Sequence, residues 1–79
     1  MYYTIFHATN PTDSTFCADL VANGNRFDVI FFNHQMHRIV SRQHFDEYEQ
    51  ADRIFKRFCD MHGFSDVVDV QNSDTPLYY

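Results

Sequence analysis

Apolar and polar positions follow two different periods along this chain. Over residues 45–64 the apolar positions recur every three or four residues; before that, aromatic and β-branched residues gather in short runs. The first pattern predicts one amphipathic helix and the second predicts strands. At about 100° per residue, Tyr48, Ala51, Phe55, Phe58 and His62 fall on one helical face, with Ile54 and Cys59 on its margins. Glu49, Asp52, Arg53, Lys56, Arg57 and Asp60 fall on the other, which reads as a solvated, salt-bridged surface. Asp46 stands where a cap is needed, and Glu49 three residues later would complete a capping box. Gly63 follows the last periodic residue, where a left-handed backbone ends a helix. From Glu47 to His62 such a helix is roughly 24 Å long.

Residues 2–8 are β-branched and aromatic and predict a strand. Residues 10–14 form a loop by composition. Residues 15–23 admit two readings. In the first, Asn10 caps a helix, Pro11 opens it and Gly24 closes it, which gives a βαββαβ, ferredoxin-like order. In the second, the chain is a hairpin turning at Asn23-Gly24. A two-residue turn there opposes Leu20 to Phe27, Ala18 to Val29 and Phe16 to Phe31, all on one face. That register also sets Asp19 against Asp28 on the outer face, a like-charge fault. The hairpin suits Thr15, Phe16, Cys17 and Val21 better, because these residue types fit strands.

Residues 27–32 (Phe-Asp-Val-Ile-Phe-Phe) are the clearest strand. A turn over 33–36 leads to a short strand over 37–41, and residues 64–70 carry three valines suited to a last strand. Residues 71–79 read as a C-terminal tail. The expected architecture is α+β: a single domain over 1–79, with a small antiparallel sheet of four to five strands covered on one face by a single helix, in a ββββαβ-like order.

Composition sharpens this picture in three ways. A chain of 79 residues buries a limited core, and its nine Phe and five Tyr supply area that length cannot. The net charge of −5 argues against binding driven by phosphate neutralisation or by an anionic membrane, so direct nucleic-acid binding is not expected. Two cysteines, Cys17 and Cys59, make no disulfide framework, and neither a signal peptide nor a membrane-spanning stretch is legible; the cytoplasm is the expected location.

Hairpin strands followed by Ser41, Phe45, Asp46, Tyr48, Ala51 and Phe55 at their spacing form a pattern that resembles small phage-encoded proteins, some of them anti-CRISPR inhibitors. The resemblance spans residues 15–62 and implies a non-enzymatic protein that blocks a larger host nucleoprotein complex such as a CRISPR-Cas assembly. The mechanism expected of such a protein is steric, with an acidic, aromatic surface occupying a basic nucleic-acid groove. Asp19, Asp28, Asp66, Asp69 and Asp74 are then candidate phosphate mimics, and Tyr78 and Tyr79 candidate anchors.

Chemistry has fewer footholds. His34-x-x-His37 in a turn and Cys59-x-x-His62 at a helix end could meet around tetrahedral zinc, as a hairpin and helix do in a ββα finger. That is the alternative expectation, a zinc-stabilised nucleic-acid-binding or regulatory module. It has an intervening segment of 21 residues, against about 12 in a finger. On the leading reading no cofactor is expected. An enzyme is not expected either, since both cysteines fall on apolar faces and the chain has only two glycines, too few for a phosphate loop.

Overall fold

The computed structural model describes residues 2–70. Five strands and one helix follow in the order β1 (Tyr2–Asn10), β2 (Asp13–Asn23), β3 (Arg26–Asn33), β4 (Arg38–Phe45), α1 (Tyr48–His62) and β5 (Asp66–Asp69). The strands form one antiparallel sheet in the order β4-β3-β2-β1-β5. The first four make a meander, and α1 then carries the chain back across the sheet so that β5 pairs with β1 at the far edge. The distance is right: four inter-strand gaps are about 19 Å, and a 15-residue helix is about 22 Å. The fold is therefore the expected α+β architecture with five strands and one helix.

Residues 15–23 belong to the β2–β3 hairpin and not to a helix. Asn10, a cap in the helical reading, closes a turn instead: its Oδ1 accepts from Thr12 N at 2.9 Å and from Thr12 Oγ1 at 2.8 Å. The hairpin register differs by two residues from the expected one. The turn is Gly24-Asn25, with Gly24 at φ 61 as the first central residue of a two-residue turn. Leu20 opposes Val29, Ala18 opposes Phe31, Asp19 opposes Ile30 and Asp28 opposes Val21. A shift of two preserves which side each residue faces and removes the like-charge pair.

The helix ends as expected and starts differently. Gly63 takes the left-handed conformation at φ 69, and Phe64 N donates to Cys59 O at 2.9 Å. A Cβ on Gly63 would also lie 3.1 Å from Asn10 Nδ2, which donates to His62 O at 3.2 Å and ties β1 to the helix end. At the start, β4 runs on to Phe45 and the cap position falls to Glu47, which makes no side-chain cap bond. Asp46, expected to cap, lies one residue too early and meets Arg26 Nε at 3.5 Å in solvent.

One core lies between α1 and the sheet. Ala8, Ala18 and Ala22 form a shallow floor that lets Ala51 and Phe55 approach closely, and Leu20, Val29, Ile5 and Phe64 complete it. Phenylalanines flank this floor: Phe16 stacks on Phe31 at 5.1 Å, Phe6 on Phe55 at 6.0 Å, and Phe58 packs on Phe31 at 5.7 Å. Such pairs add about 0.5–1.5 kcal/mol each beyond their buried area. Ile5 is an extra residue in β1 between Thr4, opposite Val21, and Phe6, opposite Leu20; this bulge puts Ile5 and Phe6 together in the helix-side core. Among the described residues, no helix is long and apolar enough to cross a membrane.

Phe55 is 2 % exposed at the centre of the helix-side core. Phe55→Ala should therefore cost about 3–5 kcal/mol in urea denaturation, while Arg57→Ala on the solvated face should stay within about 0.5 kcal/mol. Equal effects would contradict the assignment of the two faces.

Candidate functional site

Alternation along β2 places Phe16, Ala18, Leu20 and Ala22 under the helix and turns Cys17, Asp19 and Val21 to the second face. That face is buried too. Cys17, Val21, Ile30 and Phe32 form a second apolar cluster, and Asp19 and Asp28 lie among them with no exposed surface. Both aspartates were expected on the surface as phosphate mimics; they are interior groups. Burying a carboxylate is costly unless it is paired, and the register supplies the pairs.

His7 stands opposite Asp19 in the β1–β2 ladder, and its Nδ1 lies 2.6 Å from Asp19 Oδ1. Asp19 Oδ2 is buried and has no hydrogen-bond partner. His44 stands opposite Asp28 in the β3–β4 ladder, with Nδ1 at 2.7 Å from Oδ1. Asp28 Oδ2 faces Arg42 Nε at 3.3 Å, and Asn23 Nδ2 donates to it at 3.5 Å. Each buried acid thus takes its partner from a neighbouring strand at a position fixed by pairing.

Next to Asp19, side chains from three elements converge. One potential ligand atom each from His7 on β1, Cys17 on β2 and His34 in the β3–β4 turn lie within 4.8 Å of one another. His34 N donates to Thr15 O at 2.8 Å, which fastens that turn to the start of β2. The His34 ring meets Phe32 edge-on at 5.3 Å and His7 at 6.3 Å. An open cleft of about 330 Å³ lined by His7, Thr9, Ser14 and His34 leads to the cluster. Burial, then the Asp19 charge, pushes the Cys17 thiol up to about 12. Burial and then His7 lower the His34 pKa.

The four residues expected around zinc, His34, His37, Cys59 and His62, do not come together. His62 packs on the helix side, its ring 5.5 Å from Phe58 and Phe64 and 5.0 Å from Phe31. His34 lies on the opposite face. His37 is exposed in the turn at φ 52. The finger-like reading fails because the ring of His34 turns away from the helix, beside Phe32. His7 and Cys17 escaped the sequence reading because they lie ten residues apart on different strands and become neighbours only through the ladder.

A second feature lies on the helix side. A cleft of about 390 Å³ between α1 and β5 has Phe6, Phe55, Phe64 and Val67 as its apolar lining and Asp52, Lys56, Asp60 and Ser65 among its polar residues. Lys56 Nζ meets Asp52 Oδ2 at 2.8 Å. Cys59 also lines this cleft, and burial followed by the Asp60 charge raises its thiol to about 11. Asp69 opposes Phe6, on the side of this cleft, and Asp66 opposes Thr9 on the other; both are exposed. Asp74, Tyr78 and Tyr79 lie outside the described residues.

The fold and these two sites define a small α+β domain with an aromatic, acid-rimmed cleft on one face and a buried His–Asp–Cys cluster on the other. No protein-family model, curated protein or solved structure matches the chain.

Removing a partner from a buried acid should cost more than removing both. Arg42→Met should destabilise the protein by about 3 kcal/mol in urea denaturation, because it leaves Asp28 undercompensated. Adding Asp28→Asn to that variant should restore part of the loss; a double variant less stable than Arg42→Met contradicts the pairing.

Proposed function

We propose that this chain is a non-enzymatic protein–protein interaction module of the cytoplasm, which holds a basic segment of a larger protein in the α1–β5 cleft. The cleft supports this reading with an apolar floor of Phe6, Phe55 and Phe64 that can seat an aliphatic or aromatic side chain. Asp60 at its rim, beside the Asp52–Lys56 ion pair, offers charge complementary to lysine or arginine. The overall charge of −5 favours the same class of partner.

Against an enzyme stand the two thiols. Both are raised well above neutrality by burial, and a protonated thiol is a poor nucleophile. The finer reading is an inhibitor that occupies a basic groove of a host nucleoprotein complex, of the CRISPR-Cas kind. It rests on the sequence resemblance together with this acid-rimmed cleft. The acidic surface it uses is the cleft rim, since Asp19 and Asp28 are interior.

Affinity capture from bacterial lysate, with and without nuclease, followed by mass spectrometry tests this reading. One stoichiometric protein should survive nuclease treatment. Its retention should fall about tenfold with Asp60→Lys and change little with Asp66→Lys on the opposite side of β5, and it should weaken as salt rises. Retention that is lost with nuclease, or that is unchanged by Asp60→Lys, contradicts it.

A further inference from the structure

We infer that His7, Cys17 and His34 bind one divalent transition-metal ion of the zinc class on the sheet face opposite α1. The donors decide the class of ion. Two imidazoles and a thiolate suit zinc and its neighbours in the first transition row, whereas calcium and magnesium take oxygen ligands. The three ligand atoms lie within 4.8 Å of one another. In a tetrahedral zinc site with bonds of about 2.0–2.3 Å, donor atoms sit about 3.3–3.5 Å apart. Closing the cluster therefore asks for shifts that side-chain rotation can supply, with the strand register unchanged.

Asp19 is the second, independent observation. Its Oδ1 lies 2.6 Å from His7 Nδ1, which fixes the ring and assigns Nε2 to the metal. This is the carboxylate–histidine–metal arrangement that orients a ligand and raises its basicity. Its other oxygen is fully buried without a hydrogen-bond partner. A buried carboxylate with an unmet oxygen calls for positive charge nearby. The charges balance when the ion binds: the dication is matched by the Cys17 thiolate and the Asp19 carboxylate, and both imidazoles stay neutral. Ligation takes Cys17 as its thiolate, so each ion bound releases one thiol proton to solvent. The cleft lined by His7, Thr9, Ser14 and His34 gives the ion a path in.

The site uses the face opposite the α1–β5 cleft, so it stands or falls independently of the partner proposed for that cleft. Cobalt(II) is the probe, added to the full chain under reducing conditions. One equivalent should bind, with visible bands of tetrahedral intensity and a thiolate-to-cobalt charge-transfer band. Zinc should displace it, and zinc should raise the melting temperature in a way that chelator reverses. Cys17→Ser should abolish the charge-transfer band and Cys59→Ser should leave it. Asp19→Asn should weaken binding by about 10–100-fold, as loss of an outer-shell partner does. His34→Ala, at a turn position, should weaken it while the protein keeps its fold, and so keeps the test open if Cys17→Ser does not fold. Absence of the band in the folded native chain would overturn the proposal. So would a band that follows Cys59 instead of Cys17, or one indifferent to His34→Ala.

Discussion

Two carboxylates without solvent, Asp19 on β2 and Asp28 on β3, constrain everything around them. Neither can be interior unless a neighbouring strand delivers a partner to the same spot, and each receives one: His7 across from Asp19, and His44 across from Asp28 with Arg42 beside it. A one-residue slip of either ladder would drive a charge into the alanine floor under α1 and carry Leu20 or Val29 away from the helix. The register is thus held from both faces of the sheet, by apolar packing on one and by the cross-strand partners of the buried acids on the other. Stability and specificity come from different residues of the same strand.

The two faces differ in what they can do. The helix side is filled by rings and small residues, and a cleft opens where α1 passes the short edge strand β5. Such a cleft can recognise a side chain. The second face gathers histidine, cysteine and aspartate within a few ångströms and supplies donor chemistry in place of shape. Because these groups sit on β1, β2 and one turn, any ion they hold would pin the β3–β4 turn to the sheet. That turn leads into the β4 edge, where Ile39 and Val40 are about half exposed.

Much of the fold was legible because its signals are local. Gly63, the 3.6-residue spacing from Tyr48 to His62, and the run Phe27–Phe32 each mark an element within a single window of sequence. The β2–β3 hairpin was legible as one of two readings, and its faces were right although its register was two residues off, because a shift of two leaves alternation intact. The helix start was not legible, since how far β4 extends depends on pairing with β3. The burial of Asp19 and Asp28 was missed although a signal was present. The face they share also carries Cys17, Val21, Ile30 and Phe32, too apolar for a solvated surface. The His7–Cys17–His34 cluster had no sequence signature, because only the ladder makes those residues neighbours.

The state of the imidazoles tests the account most directly. Long-range nitrogen–proton correlation spectra of the histidine side chains report which ring nitrogen carries a proton. If Asp19 and Asp28 are buried carboxylates held by their cross-strand partners, Nδ1 of His7 and of His44 are both protonated and hydrogen-bonded. The His7 Nδ1 proton should also exchange slowly with water. A His7 ring whose Nδ1 lacks a proton, or exchanges as freely as an exposed imidazole, would contradict the pairing on which the second face is built.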